Sequence, residues 1–222
     1  MFRNRHKAYR FYLIFEFIIL FAGLPTACEF GFFPIYPIFM LWLFAAVSAL
    51  VLILDPQSNL SRLWRVNRWK DLTAVIVRFI LAAVLLGAYV VVFEPDLLLK
   101  FPRYHPYPWA MVMILYPLLS ALPQGITHRV FLSHRYGRIF KGGSMILVSA
   151  AAFAYMHIVF QNPLALLLTF AGRILFAKTY SDTRSLMISM IEHALYGNYI
   201  FTIGLGKYLY LGAAGYGLSG LP

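Results

Sequence analysis

The feature that most constrains this chain is a succession of apolar segments, each about 20 residues long and separated from the next by a short polar stretch. Hydrophobic residues make up 61% of the 222 residues and charged residues 12%. An average soluble domain carries about 25% charged residues, so a soluble fold could not cover this much apolar surface. The sequence therefore predicts an all-α, polytopic transmembrane helix bundle.

Seven spans are predicted from the lengths of the apolar runs, and together they form a single membrane domain over residues 1–222. The tail from Lys207 is expected to be an eighth span or an interfacial segment. An interfacial helix is predicted for residues 55–70, and a proline-punctuated loop for residues 94–108. The fourth span is expected to continue past two prolines with kinks. The seven predicted spans are 11–27, 35–54, 72–93, 109–133, 144–160, 163–177 and 185–205.

The basic residues set the predicted orientation. Of the 19 Lys and Arg residues, Lys100, Arg103 and Lys207 fall on one side of the predicted bundle, Arg78 and Arg173 fall within spans, and all the others fall on the opposite side. Lys and Arg concentrate in cytoplasmic loops, so the N-terminus is predicted to be cytoplasmic. This distribution also explains the net charge of +11 without a nucleic-acid partner. A bacterial cytoplasmic (inner) membrane is the expected location.

Several polar residues lie inside the predicted spans, where they are costly and are functional candidates by default. At 1.5 Å per residue, Gln124, His157 and His193 fall at overlapping depths in three different helices. Gln124 and His128 share one helix face at i, i+4 spacing. A polar cavity open to the cytoplasm is predicted from these positions. Arg129 is placed near the membrane edge, where its side chain can reach the headgroups.

Three segments together resemble the motif regions of the CPBP family of intramembrane proteases, also called the Abi or CAAX-protease-like family. The family pattern is Glu-Glu-x-x-x-Arg on one helix, Phe-x-x-x-His on the next, and a later His followed four residues on by Asn or Asp. Arg129, Phe153 with His157, and His193 match this pattern in order and spacing. The segments are PQGITHRVFLSHRY (123–136), FAYMH (153–157) and EHALYGN (192–198), within a family-like catalytic core at about 109–205.

The resemblance implies an endopeptidase that acts on membrane-associated peptides or prenylated C-termini, with no cofactor and no metal. In the family, the first glutamate activates a water molecule, and the histidines and the Asn orient that water and stabilise the oxyanion. A partly desolvated carboxylate can act as a general base near neutral pH. The site residues implied by the resemblance are Gln124, Gly125, Arg129, His157, His193 and Asn198.

The chain departs from the family pattern at three of these positions. Gln124 and Gly125 occupy the two glutamate positions, and Gln124 can bind a water molecule but cannot take its proton. Gly197 stands four residues after His193, and Asn198 stands five residues after it. One residue is about 100° of helix rotation, so Asn198 could share the role only on a locally distorted helix.

Three functions remain open from the sequence. The chain is an endopeptidase in which Glu192, His128 or His157 replaces the missing base, or it is a non-catalytic binding or scaffold protein that uses the same cavity. The third hypothesis is a metal site formed by His128, His157 and His193, although no close ligand spacing supports it. The predicted partners are membrane lipids and a membrane-associated or prenylated peptide.

Overall fold

The computed structural model describes residues 2–33, 36–66 and 68–209, and in this part of the chain it is an all-α bundle. Six helices are long and apolar enough to cross a membrane: α1 (Lys7–Glu29), α2 (Pro37–Leu54), α3 (Trp69–Phe93), α4 (Pro106–Tyr136), α5 (Gly143–Phe160) and α6 (Pro163–Thr183). The seventh predicted span is the helix α7 (Leu186–Ile203), which is not among those six. The predicted tail segment from residue 210 lies outside the described residues.

The helix ends follow from local sequence. Pro37, Pro106 and Pro163 each occupy the first turn of a helix, where a missing amide donor costs nothing. The side chain of Asn162 caps α6 by accepting hydrogen bonds from two backbone amides, those of Leu164 and Ala165, at 2.9 and 3.2 Å. Gly204 ends α7 with φ +101°, a conformation that favours glycine.

As predicted, α4 continues past Pro117 and Pro123. Two π-helical segments interrupt it, Pro117–Ala121 beginning at the first proline and Ile126–Phe131 shortly after the second. A proline within a helix cannot donate to the preceding turn, and wider turns accommodate that loss. The second π segment contains His128 and Arg129, and π turns of this kind are frequent at functional sites.

The last three helices form the part of the bundle that positions the site. α6 packs between α5 and α7, and α7 also contacts α3 and α4. A hydrophobic cluster on the side of the basic loops joins α1, α2, α4 and α5. It contains Phe21, Leu52, Phe131 and Tyr136. Glu16 of α1 accepts hydrogen bonds from Arg135 at 2.7 and 2.9 Å, which ties the first helix to the end of α4.

The connecting segments differ from the prediction in two places. Residues 55–70 do not form the predicted interfacial helix. The only helical element in the described part of this stretch before α3 begins is a 3₁₀ turn at Leu60–Arg62. The backbone amide of Met187 donates to the carbonyl of Leu63 at 3.0 Å, so the loop also pairs with the start of α7. The predicted loop 94–108 includes a 3₁₀ turn at Pro95–Leu97 and a short helix at Lys100–Tyr104.

At the end of the bundle remote from the basic loops, Glu94 anchors the segment Leu205–Leu209 that follows α7. The Tyr208 hydroxyl donates to the Glu94 carboxylate, and Lys207 Nζ lies 3.3 Å from it. These contacts, the Tyr208 hydrogen bond first, hold the pKa of Glu94 below its ordinary value of 4.5. A carboxylate with a lowered pKa in the folded state stabilises the fold above its unfolded pKa. That stabilisation is lost as pH falls through the lowered pKa.

This linkage gives a pH-dependent prediction. At pH 6, Glu94→Gln is expected to unfold at a lower temperature than the unmodified protein, and the difference should shrink as the pH is lowered through the acid range. Thermal unfolding of both proteins across this range measures the effect. Asp96→Asn is the matched control, since Asp96 is exposed two residues away and has no ion pair among the described residues. A difference between Glu94→Gln and the unmodified protein that persists unchanged at pH 3 would contradict the assignment.

Candidate functional site

A cavity of about 160 Å³ lies between α3, α4, α5, α6 and α7 and contains two of the predicted site histidines. His157 reaches it from the end of α5 and His193 from the middle of α7. Leu86, Leu168 and Ile200 form part of its wall. These three residues belong to the halves of α3, α6 and α7 that lie away from the basic loops. The wall also includes Leu175, Phe176 and His193 from the other halves of α6 and α7, so the cavity spans the middle of the bundle, and its opening to the cytoplasm stays a prediction.

His157 is held in a defined orientation. Its Nδ1 lies 2.7 Å from the carbonyl oxygen of Phe153, one turn earlier on α5. A carbonyl can only accept, so Nδ1 carries the proton, and in the neutral ring Nε2 is an acceptor. The Phe153 and His157 rings also pack at a centroid distance of 4.6 Å. The Phe-x-x-x-His motif therefore fixes both the tautomer and the orientation of the imidazole.

His193 is bound by a residue that the sequence motifs do not contain. The Tyr116 hydroxyl lies 3.0 Å from His193 Nε2, and Nδ1 has no hydrogen-bond partner among the described residues. The Tyr116 ring fills the space next to Gly197, where an added Cβ would lie 2.1 Å from Tyr116 Cε1. Tyr116 thus occupies the place that an Asn or Asp side chain at position 197 would take. The one sequence signal for this replacement is the glycine itself.

Asn198 does not take over that role. Its side-chain amide donates to the carbonyl of Met113 on α4 at 3.1 Å. Asn198 is also not among the residues that line the cavity. The helix is not distorted at this point, so the rotation of about 100° between neighbouring positions carries Asn198 away from the histidines.

The two positions that match the family glutamates are both buried in α4. Gln124 is 7% exposed, and its Oε1 has no hydrogen-bond partner in the described part of the chain. A Cβ at Gly125 would lie 2.7 Å from Leu186 Cδ1 and 2.9 Å from Arg129 Nη1. The side chains of α7 and of Arg129 therefore fill the space that a glutamate at position 125 would need. Neither Gln124 nor Gly125 lines the cavity.

Arg129 is 1% exposed and makes no hydrogen bond with any described residue, which corrects the prediction that it reaches the headgroups. Its guanidinium lies 5.3 Å from the centroid of the Phe176 ring. His193 stacks on the same phenylalanine at a centroid distance of 4.6 Å. Phe176 therefore connects the motif arginine to the third-motif histidine.

Glu192, a candidate substitute base, is committed to an ion pair. Its Oε1 accepts from Arg78 of α3 at 2.9 and 3.2 Å, and the carboxylate is fully buried. Arg78 also donates to Thr179 of α6 at 2.7 Å. This arrangement joins α3, α6 and α7 on the side of the cavity nearer to the basic loops. Glu192 is not part of the cavity wall.

His128, the other candidate base on α4, faces a different cavity. That apolar space of about 80 Å³ lies between α1, α2, α4 and α5 and is lined by side chains such as Phe21, Met40 and Phe44. His128 is therefore separated from the wall shared by His157 and His193. Within the described residues, no group of three or more His, Cys, Asp or Glu side chains is arranged to hold a metal ion. The three histidines of the metal hypothesis are not brought together.

Arg173, at the centre of α6, ties the motif helices together. Its guanidinium donates to Ser149 Oγ of α5 at 2.6 and 2.9 Å and to the backbone carbonyl of His128 on α4. The same group lies 5.3 Å from the centroid of Phe153. A buried cation needs such partners, and here they fix the relative positions of the first and second motifs. The sequence analysis placed Arg173 within a span but did not predict these contacts.

These features define an integral membrane protein with buried histidines on α4, α5 and α7. Residues 106–198 match the family model described as type II CAAX prenyl endopeptidase, Rce1-like. The match extends from the start of α4 to Asn198 and contains all three motif regions. It confirms the CAAX-protease-like resemblance of this segment. No curated protein and no solved structure matches the chain.

Proposed function

We propose that this protein binds membrane-associated peptides in the cavity that His157 and His193 share and does not hydrolyse them. The observation that carries the proposal is the chemistry of the cavity wall. Its polar side chains are Tyr116, His157, Thr169, His193 and Tyr196, and none of its lining residues is a carboxylate. The family reaction depends on a glutamate that takes a proton from water. The wall supplies hydrogen-bonding groups for a peptide but no acidic general base.

The charges around the cavity support the same conclusion. The one carboxylate near a motif histidine in sequence, Glu192, is paired with Arg78. Moving the buried Glu192 carboxylate to activate a water molecule would leave Arg78 without its counter-charge, which is costly. Its position therefore favours a structural role.

The cavity suits a ligand with an apolar part. Leu86, Leu168 and Leu175 contribute to its wall from α3 and α6, and the remaining lining is largely aromatic and aliphatic. Such a surface favours lipid-like or apolar chains, with a few polar groups to orient them. A membrane-associated peptide, with or without a prenyl group, has both kinds of surface.

A second function, altered hydrolysis, is favoured by one specific observation. The hydrogen bond between His157 Nδ1 and the Phe153 carbonyl leaves Nε2 able to accept a proton from a water molecule in the cavity. In that reaction, His157 would be the general base. The Tyr116 hydroxyl, which is hydrogen-bonded to His193, would be a nearby hydrogen-bond donor. This function predicts peptide-bond cleavage that depends completely on His157.

One experiment separates the two functions. The protein in lipid nanodiscs is incubated with a diverse library of prenylated and unprenylated peptides, and products are identified by mass spectrometry. Photo-crosslinking with a benzophenone-bearing prenylated peptide maps binding in parallel. The expected result is crosslinking to α6 and α7 without cleavage. His157→Ala is compared with His105→Ala, which removes an exposed histidine outside the cavity.

Two further forms test whether only the carboxylate is missing. Gln124→Glu introduces a carboxylate of the same shape, whereas Gly125→Glu also requires Leu186 and Arg129 to move. Cleavage in Gln124→Glu or in the double variant, but not in the unmodified protein, is the expected result if the scaffold is intact. Cleavage by the unmodified protein that disappears in His157→Ala would overturn the non-hydrolytic proposal. Crosslinks that avoid the cavity would overturn peptide binding at this site.

A further inference from the structure

A separate pocket of about 210 Å³ lies at the other end of the bundle, among the basic loops. It is formed by the end of α4, the turn that leads into α5, and the last turns of α6. The pocket is remote from the histidine cavity, and the two share no lining residue. Its lining residues are Ser133, Gly137, Phe140, Lys141, Gly142, Met145, Ile146, Ala177, Tyr180, Ser181 and Arg184.

The charged residues of this pocket are of one sign. Lys141 and Arg184 line it, and both are exposed at the surface. Neither side chain forms a hydrogen bond or ion pair with a described residue, and no carboxylate lines the pocket. Asp182, the nearest carboxylate in sequence, pairs with Lys178 at 2.9 Å. The two cations therefore lack a counter-charge within the described part of the chain.

The two cations lie at or next to backbone turns that border the pocket. Arg184 ends α6 with φ +56°, a left-handed conformation that is unfavourable for a residue with a side chain. Gly142, with φ +52°, turns the chain into α5, and the first turn of that helix supplies Met145 and Ile146 to the pocket wall. The positive end of the α5 dipole thus also faces the pocket and favours an anion.

A tyrosine hydroxyl adds a hydrogen-bonding group to this pocket. Tyr180 lines the pocket, and its hydroxyl forms no hydrogen bond with a described residue. Its oxygen keeps accessible surface, so it can donate to an acceptor that enters the pocket. Ser133 and Ser181 add two more hydroxyls to the same wall. Two cations, three hydroxyls and a helix N-terminus are groups that bind the oxygens of a phosphate.

We propose that this pocket binds a phosphate group, supplied by the headgroup of an anionic phospholipid or by a soluble phosphate. Lys141 and Arg184 neutralise its charge, and Tyr180 donates a hydrogen bond from the buried wall of the pocket. The pocket lies on the side of the basic loops, which the charge distribution predicts to face the cytoplasm. A phospholipid of that leaflet would have its headgroup at the level of the pocket.

Native mass spectrometry of the full chain in detergent micelles tests the proposal. Phosphatidylglycerol, diacylglycerol and inorganic phosphate are titrated separately, and then phosphate is used as a competitor of the lipid. The variants are Lys141→Gln, Arg184→Gly and Tyr180→Phe. Arg184→Gly keeps the left-handed backbone that glycine adopts freely, so folding is preserved. The matched control is Lys70→Gln, which removes an exposed cation on the same side and outside the pocket.

Each cation variant is expected to weaken phosphatidylglycerol binding about tenfold, and Tyr180→Phe about fivefold, from the loss of one charge-assisted or neutral hydrogen bond. Lys70→Gln should change it less than twofold. Competition by inorganic phosphate would identify soluble phosphate as a ligand, and its failure to compete would identify the lipid headgroup. Equal losses in Lys70→Gln and the pocket variants, or equally tight binding of diacylglycerol, would overturn the proposal.

Discussion

Replacing Glu192 by Gln is expected to lower the free energy of unfolding by about 3–5 kcal/mol, the range typical of breaking a buried ion pair by removing one partner. The Glu192 carboxylate has no exposed surface and accepts two hydrogen bonds from Arg78. Glutamine would keep the shape but leave Arg78 without its counter-charge. Unfolding in mixed micelles with increasing SDS, followed by circular dichroism, measures the effect.

Two comparisons make this result specific to the buried pair. Asp182→Asn breaks the exposed Lys178–Asp182 pair and should cost less than about 0.5 kcal/mol. The double variant Arg78→Leu with Glu192→Leu should cost less than the sum of its single variants, because neither charge is then left alone. If Glu192→Gln is no more destabilising than Asp182→Asn, then the Arg78–Glu192 pair does not stabilise the fold, and the hypothesis that Glu192 is a substitute base is favoured instead.

The sequence predicted the helices of this fold well because apolar run length is a local property. The segment 37–54, for example, is one uninterrupted helix close to the predicted span 35–54. The prediction failed for residues 55–70 because the partner of that loop is distant in the chain. The carbonyl of Leu63 accepts a hydrogen bond from the backbone amide of Met187 at the start of α7, and no local sequence pattern predicts such a contact.

The candidate site was predicted in part, for a similar reason. The motifs identified His157 and His193, which the structure brings to one cavity. They did not identify Tyr116, which lies within an apolar run and reaches His193 only through the packing of α4 against α7. Arg129 was placed at the membrane edge from its distance to the helix end. Its burial depends on Phe176 of another helix, which depth counting cannot show.

Gly197→Ala is expected to disrupt the site most directly, because the new methyl group would overlap a ring that is already hydrogen-bonded. Its Cβ would lie 2.1 Å from Tyr116 Cε1 and 2.5 Å from the Tyr116 hydroxyl oxygen. The ring must move, so the bond to His193 Nε2 should be lost and the free energy of unfolding should fall by about 1–3 kcal/mol, as for other overpacked cores. The ¹⁵N chemical shifts of the His193 imidazole report the bond, and SDS unfolding reports the stability.

A suppressor and a control complete this test. Tyr116→Leu removes the overlapping part of the ring, so Gly197→Ala should cost much less in that background than in the unmodified protein. Gly143→Ala places a methyl group where nothing lies within 4 Å, and it should leave both the imidazole signals and the stability nearly unchanged. If Gly197→Ala leaves the His193 signals unchanged, Tyr116 does not occupy the place of the motif Asn or Asp. The departure at position 197 would then be a loss from the site without a replacement, because the Asn198 side-chain amide is bonded to the carbonyl of Met113.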